Sequence, residues 1–448
     1  LWVTTSKEYP IPAEGRDGAD RIVILEDTNG DGHRDKITTF AEGLNIPMGV
    51  YPWKDGAVCF SIPHIWYIED SDGDGKADQR TRLYGPMGFE KDTHGMCNAF
   101  TRGLDGWLYS CHGFNNSTSV SGKDGNLVEM HSGNTFRMRL DGTRVEHFTH
   151  GMVNPFGMCQ TEQADLLVAD CHTKPLSLLM REGYYESFGK PHDGLGFVPD
   201  LMDHLHGSTA IGGVAQYNAD AFPDVYHGST FGGNVMTGRI NRNSLLPRGS
   251  GYRAQEEPDL LIAADPWFRP VDLQVGPDGA LYVADFYNRI IGHYEVGLDH
   301  PGRDRLRGRI WKIVYRPGEE RRDAGADRAP ETFRMSQVAD AAEEIDILID
   351  QLGSSNQTVR LLATDRLADD IGKRATPAVE RALKDSRPFA RAHALWVLMR
   401  LNAIHEKQIR QAIEDPAPIV RVHAFRTIEA LDQPPASLTQ LLKTGFAD

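Results

Sequence analysis

Long apolar runs are missing from this chain: no stretch approaches the roughly 20 residues that a helix needs to cross a bilayer, so the sequence carries no transmembrane segment. Cysteine is scarce. The five, Cys59, Cys97, Cys111, Cys159 and Cys171, make an odd count with no C-x-x-C, which excludes a zinc ribbon and a covalently attached c-type haem from this stretch. No long basic run occurs either. With 48 Lys and Arg against 63 Asp and Glu the net charge is −15, which argues against nucleic acid, an anionic membrane surface or another polyanion as partner. The chain opens on Leu1 without a charged-then-apolar leader, so it is expected to be a processed or excerpted piece.

What is present is glycine, acid and turns. At 448 residues with 45 glycines the chain is expected to form at least two cores rich in loops. The segment LEDTNGDGHRD, starting at Leu25, returns 43 residues later as IEDSDGDGKAD, starting at Ile68. Aligned, the two copies place oxygen side chains at Asp27, Asn29, Asp31 and Asp35, and at Asp70, Asp72, Asp74 and Asp78. Alternate carboxylates in a tight loop suit calcium, which takes six to eight oxygen ligands. A solvated acidic β-turn is the plainer reading, since Asp, Asn and Gly make turns unaided. Two copies in register favour calcium. The flanks RIVIL and HIWYI read as strands and no Glu stands at the twelfth position, so these are not EF-hands.

Residues 1–315 read as β throughout. A turn-then-strand unit recurs in KDGAVCFS, LDGWLYSC, QADLLVAD and PDGALYVAD, at spacings that suit four-stranded propeller blades. The double-length gap before PDGALYVAD leaves room for one more blade around FPDVYHGSTFGGNVMTGRI. The expected fold is an all-β propeller of about six blades, then a charged, Pro/Gly-broken linker over 316–335, then an all-α HEAT-like repeat domain over 336–448. In the last region Arg360, Arg391 and Arg421, and with them Ala363, Ala394 and Ala424, recur at intervals of 31 and 30 residues. These arginines are read as structural, bonding carbonyls or the Asp of a neighbouring repeat. The array stops at Asp448 without a polar cap, so the natural chain is expected to continue.

DTHGMCNAFTRGLDGWLYSCHG, SGNTFRMRLDG and THGMVNPFGM resemble, in this order, the soluble quinoprotein sugar dehydrogenases and sorbosone-dehydrogenase-like propellers. WFRPVDLQVGPDGALYVADFYNRIIGHYE and HPGRDRLRGRIWKIVY are similar to large exported bacterial membrane-bound dehydrogenases, which join such a propeller to HEAT repeats and a haem-attaching C-x-x-C-H domain. The resemblance implies an exported oxidoreductase that acts on a sugar or polyol with pyrroloquinoline quinone and passes electrons to a cytochrome domain or other acceptor, the c-type haem lying in a domain absent from this chain. It implies His94 as general base, Asn154 as a hydrogen-bonding partner of the cofactor and Arg269 as a cation facing the quinone carboxylates. Two cations are lacking: the Arg of the family's R-N-P motif is Val153, and no lysine stands in FGGNVMTGRINR.

A second constellation competes with the quinone. His94, His112, His172 and His206 all adjoin turn-rich strand ends, in DTHG, SCHG, DCHT and LHGS. Equivalent strand ends of a propeller converge on one channel mouth, where such imidazoles can hold a transition metal. Each can equally cap a loop by bonding a backbone carbonyl. His112 and His172 are further candidates to hold the cofactor, and Asp272 joins His94 and Arg269 as a catalytic candidate. Asp170, Asp272 and Asp285 can also be plain turn formers, and Cys111 with Cys171 can form a disulfide if their Cα atoms lie within about 7 Å. Three functions stay open: a dehydrogenase-like oxidoreductase, a non-catalytic module binding a glycan or partner, and a metal-dependent lyase or hydrolase.

Overall fold

The computed structural model describes residues 1–187, 196–292, 294–316 and 340–445; most of the expected linker, 317–335, and the first residues of the expected repeat domain lie outside these. Among the described residues the strands of the first region form six successive antiparallel sheets of three or four strands. Sheet one runs over residues 2–44, sheet two over 48–84, sheet three over 98–150, sheet four over 155–179, sheet five over 211–262 and sheet six over 270–313. A hairpin, Ser117–Ser121 with Leu127–His131, interrupts sheet three. The first strand of each sheet packs on the first strand of the next. Arg34 of sheet one reaches the Tyr282 hydroxyl of sheet six at 3.2 Å, and Arg305 reaches the Lys7 carbonyl at 2.7 Å, so the ends of the series meet in a propeller-like ring.

The turn-then-strand units are the inner hairpins of these sheets. In LDGWLY, Asp105 accepts the Trp107 N–H at 3.1 Å and the Tyr109 hydroxyl at 2.7 Å. In PDGALY, Asp278 accepts the Ala280 N–H at 3.2 Å and the Tyr282 hydroxyl at 2.8 Å. The same short-range bonds therefore set the same turn twice. The strands that follow are buried, Leu108–His112 along its whole length and Leu281–Asp285 at all but Ala284.

The first strands of sheets two to six each carry a bulge near their beginning. At Gly157 a Cβ would stand 2.5 Å from Gly213 Cα, and at Gly213 a Cβ would stand 2.7 Å from Asp272 Cα. Glycine is required at both, because the backbones of sheets four, five and six touch there and φ is +106° and +64°.

Seven helices follow among the described residues: α1 Ala341–Gln351, α2 Gln357–Asp365, α3 Thr376–Ala382, α4 Pro388–Arg400, α5 Glu406–Ile413, α6 Pro418–Ala430 and α7 Ala436–Gly445. Arg360, Arg391 and Arg421 each donate to a consecutive pair of carbonyls just before their own helix: Ser354 and Ser355, Asp385 and Ser386, Asp415 and Pro416. Arg391 also grips Asp415 of the next unit through two bonds of 2.8 Å. Ala363, Ala394 and Ala424 are wholly buried where the helices cross.

Helix α2 lies across the lower end of the ring. Gln357 donates its N–H to the Asn218 carbonyl at 2.8 Å and its side-chain amide to the carbonyls of Gln160 and Thr161. Asn356 and Thr358 bond the carbonyls of Gly276 and Val275. At the other end of the helix Asp365 takes the Tyr51 hydroxyl at 2.8 Å, and Arg102 and Arg400 enclose Asp365 and Asp369. One short helix thereby touches the lower ends of five sheets. Burial raises the Asp369 carboxyl, but Arg400 and Arg102 outweigh it and hold the group below its ordinary range.

Candidate functional site at the channel mouth

The upper end of the ring is where the first strands of sheets two to six begin and their second strands finish, and the second strands of sheets four and six finish in an aspartate. Asp170 accepts the N–H groups of Val153 at 2.9 Å and Asn154 at 3.0 Å, that of His172 at 3.2 Å, and the Thr173 hydroxyl at 2.6 Å. Asp285 accepts the N–H groups of Arg269 at 2.8 Å and Tyr287 at 2.9 Å, together with Arg309 Nε and Trp311 Nε1. Both carboxylates are buried and occupied in shaping the loops around the mouth.

His94 stands on the segment that leads into sheet three. Its Nδ1 lies 2.9 Å from the Tyr9 hydroxyl, and its N–H is held by Asp92 at 2.8 Å. The neighbouring Thr93 hydroxyl bonds the Pro10 carbonyl and lies 2.8 Å from the Tyr294 hydroxyl. Tyr9 also meets Phe286 edge to face, with ring centroids 5.7 Å apart, and the Phe286 N–H bonds the Arg269 carbonyl. Sheets three and six stand on opposite sides of a six-membered ring. The N-terminal arm and the loop after Asp285 therefore cross the mouth to reach His94. Burial raises the pKa of the Tyr9 hydroxyl well above the ordinary phenol range. Tyr9 and Tyr294 escaped the sequence reading because neither lies in a repeating pattern.

Asp272 projects from the first strand of sheet six. It is solvent-accessible yet surrounded by protein, and this desolvation pushes its carboxyl up to about 6. Its bonds are to the Leu273 N–H at 2.9 Å and the Gln274 amide at 3.4 Å, and no cation pairs with it among the described residues.

Other expected ligands are committed elsewhere. His112 is buried, with Nδ1 2.7 Å from the Ser132 carbonyl and Nε2 2.8 Å from the Thr118 hydroxyl; burial lowers its pKa to about 4. Both ring nitrogens are used, so it holds neither metal nor cofactor. His206 sits in the seam between sheets four and five, bonded to Asn243 at 3.0 Å beside His204 and facing Glu256 at 3.2 Å, away from the mouth. His172 is exposed at the rim. The four-histidine metal cluster does not form: among the described residues only Asp70, Asp72 and Asp74 bring three potential metal-binding groups together. The cysteines are all free thiols, so Cys111 and Cys171 form no disulfide.

The quinone expected from the resemblance finds little to hold it. Arg269 donates its guanidinium to the carbonyls of Phe268 and Arg289, both at 2.8 Å. Val153 is fully buried, and so is Asn154, whose Oδ1 accepts the Phe114 N–H at 3.2 Å. A tri-carboxylate needs several cations facing it; Arg269 is the one cation of this set and two carbonyls already hold it, so these residues fit pyrroloquinoline quinone poorly.

The acidic loops lie at the lower end, remote from the mouth. Asp70, Asp72 and Asp74 bring one oxygen each within 4.8 Å of one another. Asp78 accepts from the Ser71 N–H at 2.9 Å and hydroxyl at 2.7 Å, and Asp35 likewise from Thr28 at 2.9 and 2.8 Å. These bonds hold both carboxyls below their ordinary range. Asp27 receives the N–H groups of Gly30 and Gly32, Asn29 that of Asp31, and Asp31 that of His33.

A family profile described as a domain of unknown function, DUF7133, matches residues 1–317. No curated protein matches the sequence. Among solved structures the chain is similar to a Thermus thermophilus oxidoreductase described as a glucose dehydrogenase, at 16% identity over 67% of this chain and 92% of that one, with a TM-score of 0.47. It is also similar to the apo soluble aldose sugar dehydrogenase of Escherichia coli, at 15% identity over 64% and 96%, TM-score 0.37. The PQQ-bound aldose sugar dehydrogenase of Streptomyces coelicolor follows, at 14% identity over 66% and 99%, TM-score 0.35.

Proposed function

The chain belongs to the DUF7133 family, and we propose that its sheet region is a six-bladed propeller acting as a dehydrogenase-like oxidoreductase on a small sugar or polyol at the upper channel mouth. The observation that carries this reading is the Tyr9–His94 hydrogen bond at the end of the channel that helix α2 leaves uncovered. A hydroxyl substrate entering there meets an imidazole that can take its proton at Nε2 in the tautomer whose Nδ1–H donates to the Tyr9 oxygen, which the 2.9 Å contact allows. Asp272 lies further in, a carboxyl poised near neutrality and suited to proton exchange. Arg269, through its backbone and its held guanidinium, fixes the rim around them. His94 accounts for the proton alone; the hydride passes to a two-electron acceptor supplied from outside this chain, a redox dye in the assay, and no step is assigned to a quinone.

The test is a dye-linked turnover screen of aldoses and polyols with the purified full chain, beside its absorption spectrum. His94→Gln should lower turnover by about 10²–10⁴-fold. A second reading is a non-catalytic propeller binding a polyhydroxylated ligand, favoured by the occupation of the Arg269 guanidinium by the carbonyls of Phe268 and Arg289; ligand binding without turnover or chromophore would select it.

We read the two acidic loops as calcium sites that stabilise the ring, since the three carboxylates converging in the second suit a hard cation and the first repeats its pattern. The helical region we take as a HEAT-like scaffold, from the recurring arginine bonds. Export to the periplasm or beyond, and electron transfer to a separate cytochrome domain, complete the proposal.

A further inference from the structure

We propose that the upper face of sheet six carries, outside the channel, a docking shelf for a neutral saccharide built from Trp267, Tyr287 and Trp311. The rings of Trp267 and Tyr287 stack with centroids 5.2 Å apart and planes 30° apart. The Arg309 guanidinium lies 4.1 Å from the Tyr287 ring centre and 5.0 Å from that of Trp311, bridging the stacked pair to the third ring. Trp311 is 45% exposed, and Leu306 beside Arg307 is 80% exposed, so the shelf faces solvent.

The shelf is built, not incidental. One buried carboxylate, Asp285, holds the Tyr287 N–H, Arg309 Nε and Trp311 Nε1, and Asp265 holds the Trp267 N–H at 2.9 Å and Arg309 at 2.8 Å. Tyr287 has a φ of +53°, a region costly for an aromatic residue unless its surroundings impose it. The strain holds the Tyr287 ring against Trp267 and the guanidiniums of Arg309 and Arg307, the latter 5.6 Å away, so that it braces Trp267 and Trp311 as the rings offered to a ligand.

Charge selects the ligand class. Arg309 is neutralised by Asp265 and Asp285, and Arg307 by Asp304 at 2.6 Å, so neither cation of the shelf is left over for a phosphate, a uronate or a nucleic acid. A chain of net charge −15 opposes polyanions further. Three rings interleaved with ion pairs are too narrow and too polar for a protein interface core. They match the flat C–H face of a pyranose, whose ring-edge hydroxyls would meet Asp265, Asp304 and Arg307.

Affinity electrophoresis of the full chain in gels cast with laminarin, xylan or dextran, with alginate as the anionic counterpart, tests this. At least one neutral polymer should retard the protein. Trp267→Ala and Trp311→Ala should each weaken retardation about tenfold or more, while Trp311→Phe, which keeps a ring face, should retain it. Unfolding temperatures identify misfolded variants, and Trp311, exposed as it is, supplies the substitution least coupled to folding. Absence of retardation by every neutral polymer, equal retardation of the alanine variants, or retardation by alginate alone would overturn the proposal. The assay reads binding without turnover, so its failure and failure of the channel-mouth reading are separate results.

Discussion

Arg360 and Glu162 meet 2.5 Å apart across the seam between the helices and the sheets, the guanidinium wholly buried. Removing one partner of a buried ion pair strands the other, at a cost of about 3–5 kcal/mol. Arg360→Ala should therefore move the urea unfolding midpoint far more than Arg410→Ala, whose pair with Glu406 is partly exposed. Deleting residues 340–448 should lower the stability of the sheet region, because Glu162, Arg102 and the carbonyls of Gln160 and Thr161 lose their partners. A truncated chain that unfolds cooperatively at the same midpoint would refute this.

Acid should destabilise the fold before the carboxylates of ordinary pKa titrate. His112 and His423 are buried and held neutral, each with its pKa lowered to about 4 by desolvation. An unfolded chain protonates the same imidazoles near 6.5. Stability from these groups is thus intact above about pH 6.5 and falls steadily as the pH drops toward 4. His112→Asn should flatten that part of the stability profile while lowering its plateau.

Calcium should raise the melting temperature by binding only the folded loops. Asp31→Ala and Asp74→Ala should abolish that rise. Asp78→Ala should lower stability with or without calcium, since its carboxylate is committed to Ser71. If titrated calcium leaves the melting temperature of the native chain unmoved, the loops are turns and nothing more.

Asp272→Asn should remove any limb of the pH–rate profile with a midpoint near 6. It should also stabilise the protein at pH 8: a carboxyl whose folded pKa is raised burdens the fold when ionised and is relieved as the pH falls through 6. Tyr9→Phe should impair turnover less than His94→Gln, because it removes the orienting bond and leaves the base.

The sheet series was readable because its turns are set by bonds two to four residues long, as at Asp105 and Asp278. The arginine register of the helices was readable for the same reason, each arginine bonding carbonyls five or six positions back. The mouth was not. Tyr9 meets His94 across 85 positions, and His112 is satisfied by a carbonyl 20 positions away, so strand-end location alone could not say which imidazole faces the channel. Gln357 reaching Gln160 over 197 positions was equally hidden, and with it the cover on the lower end.

That cover governs traffic. Helix α2 spans the lower strand ends, so a ligand that enters past Tyr9 and His94 is expected to leave by the same way. Product and incoming substrate then compete for one doorway. Any electron acceptor too large to share it must wait its turn, which makes alternating, substituted-enzyme kinetics the expected pattern for a catalyst of this shape.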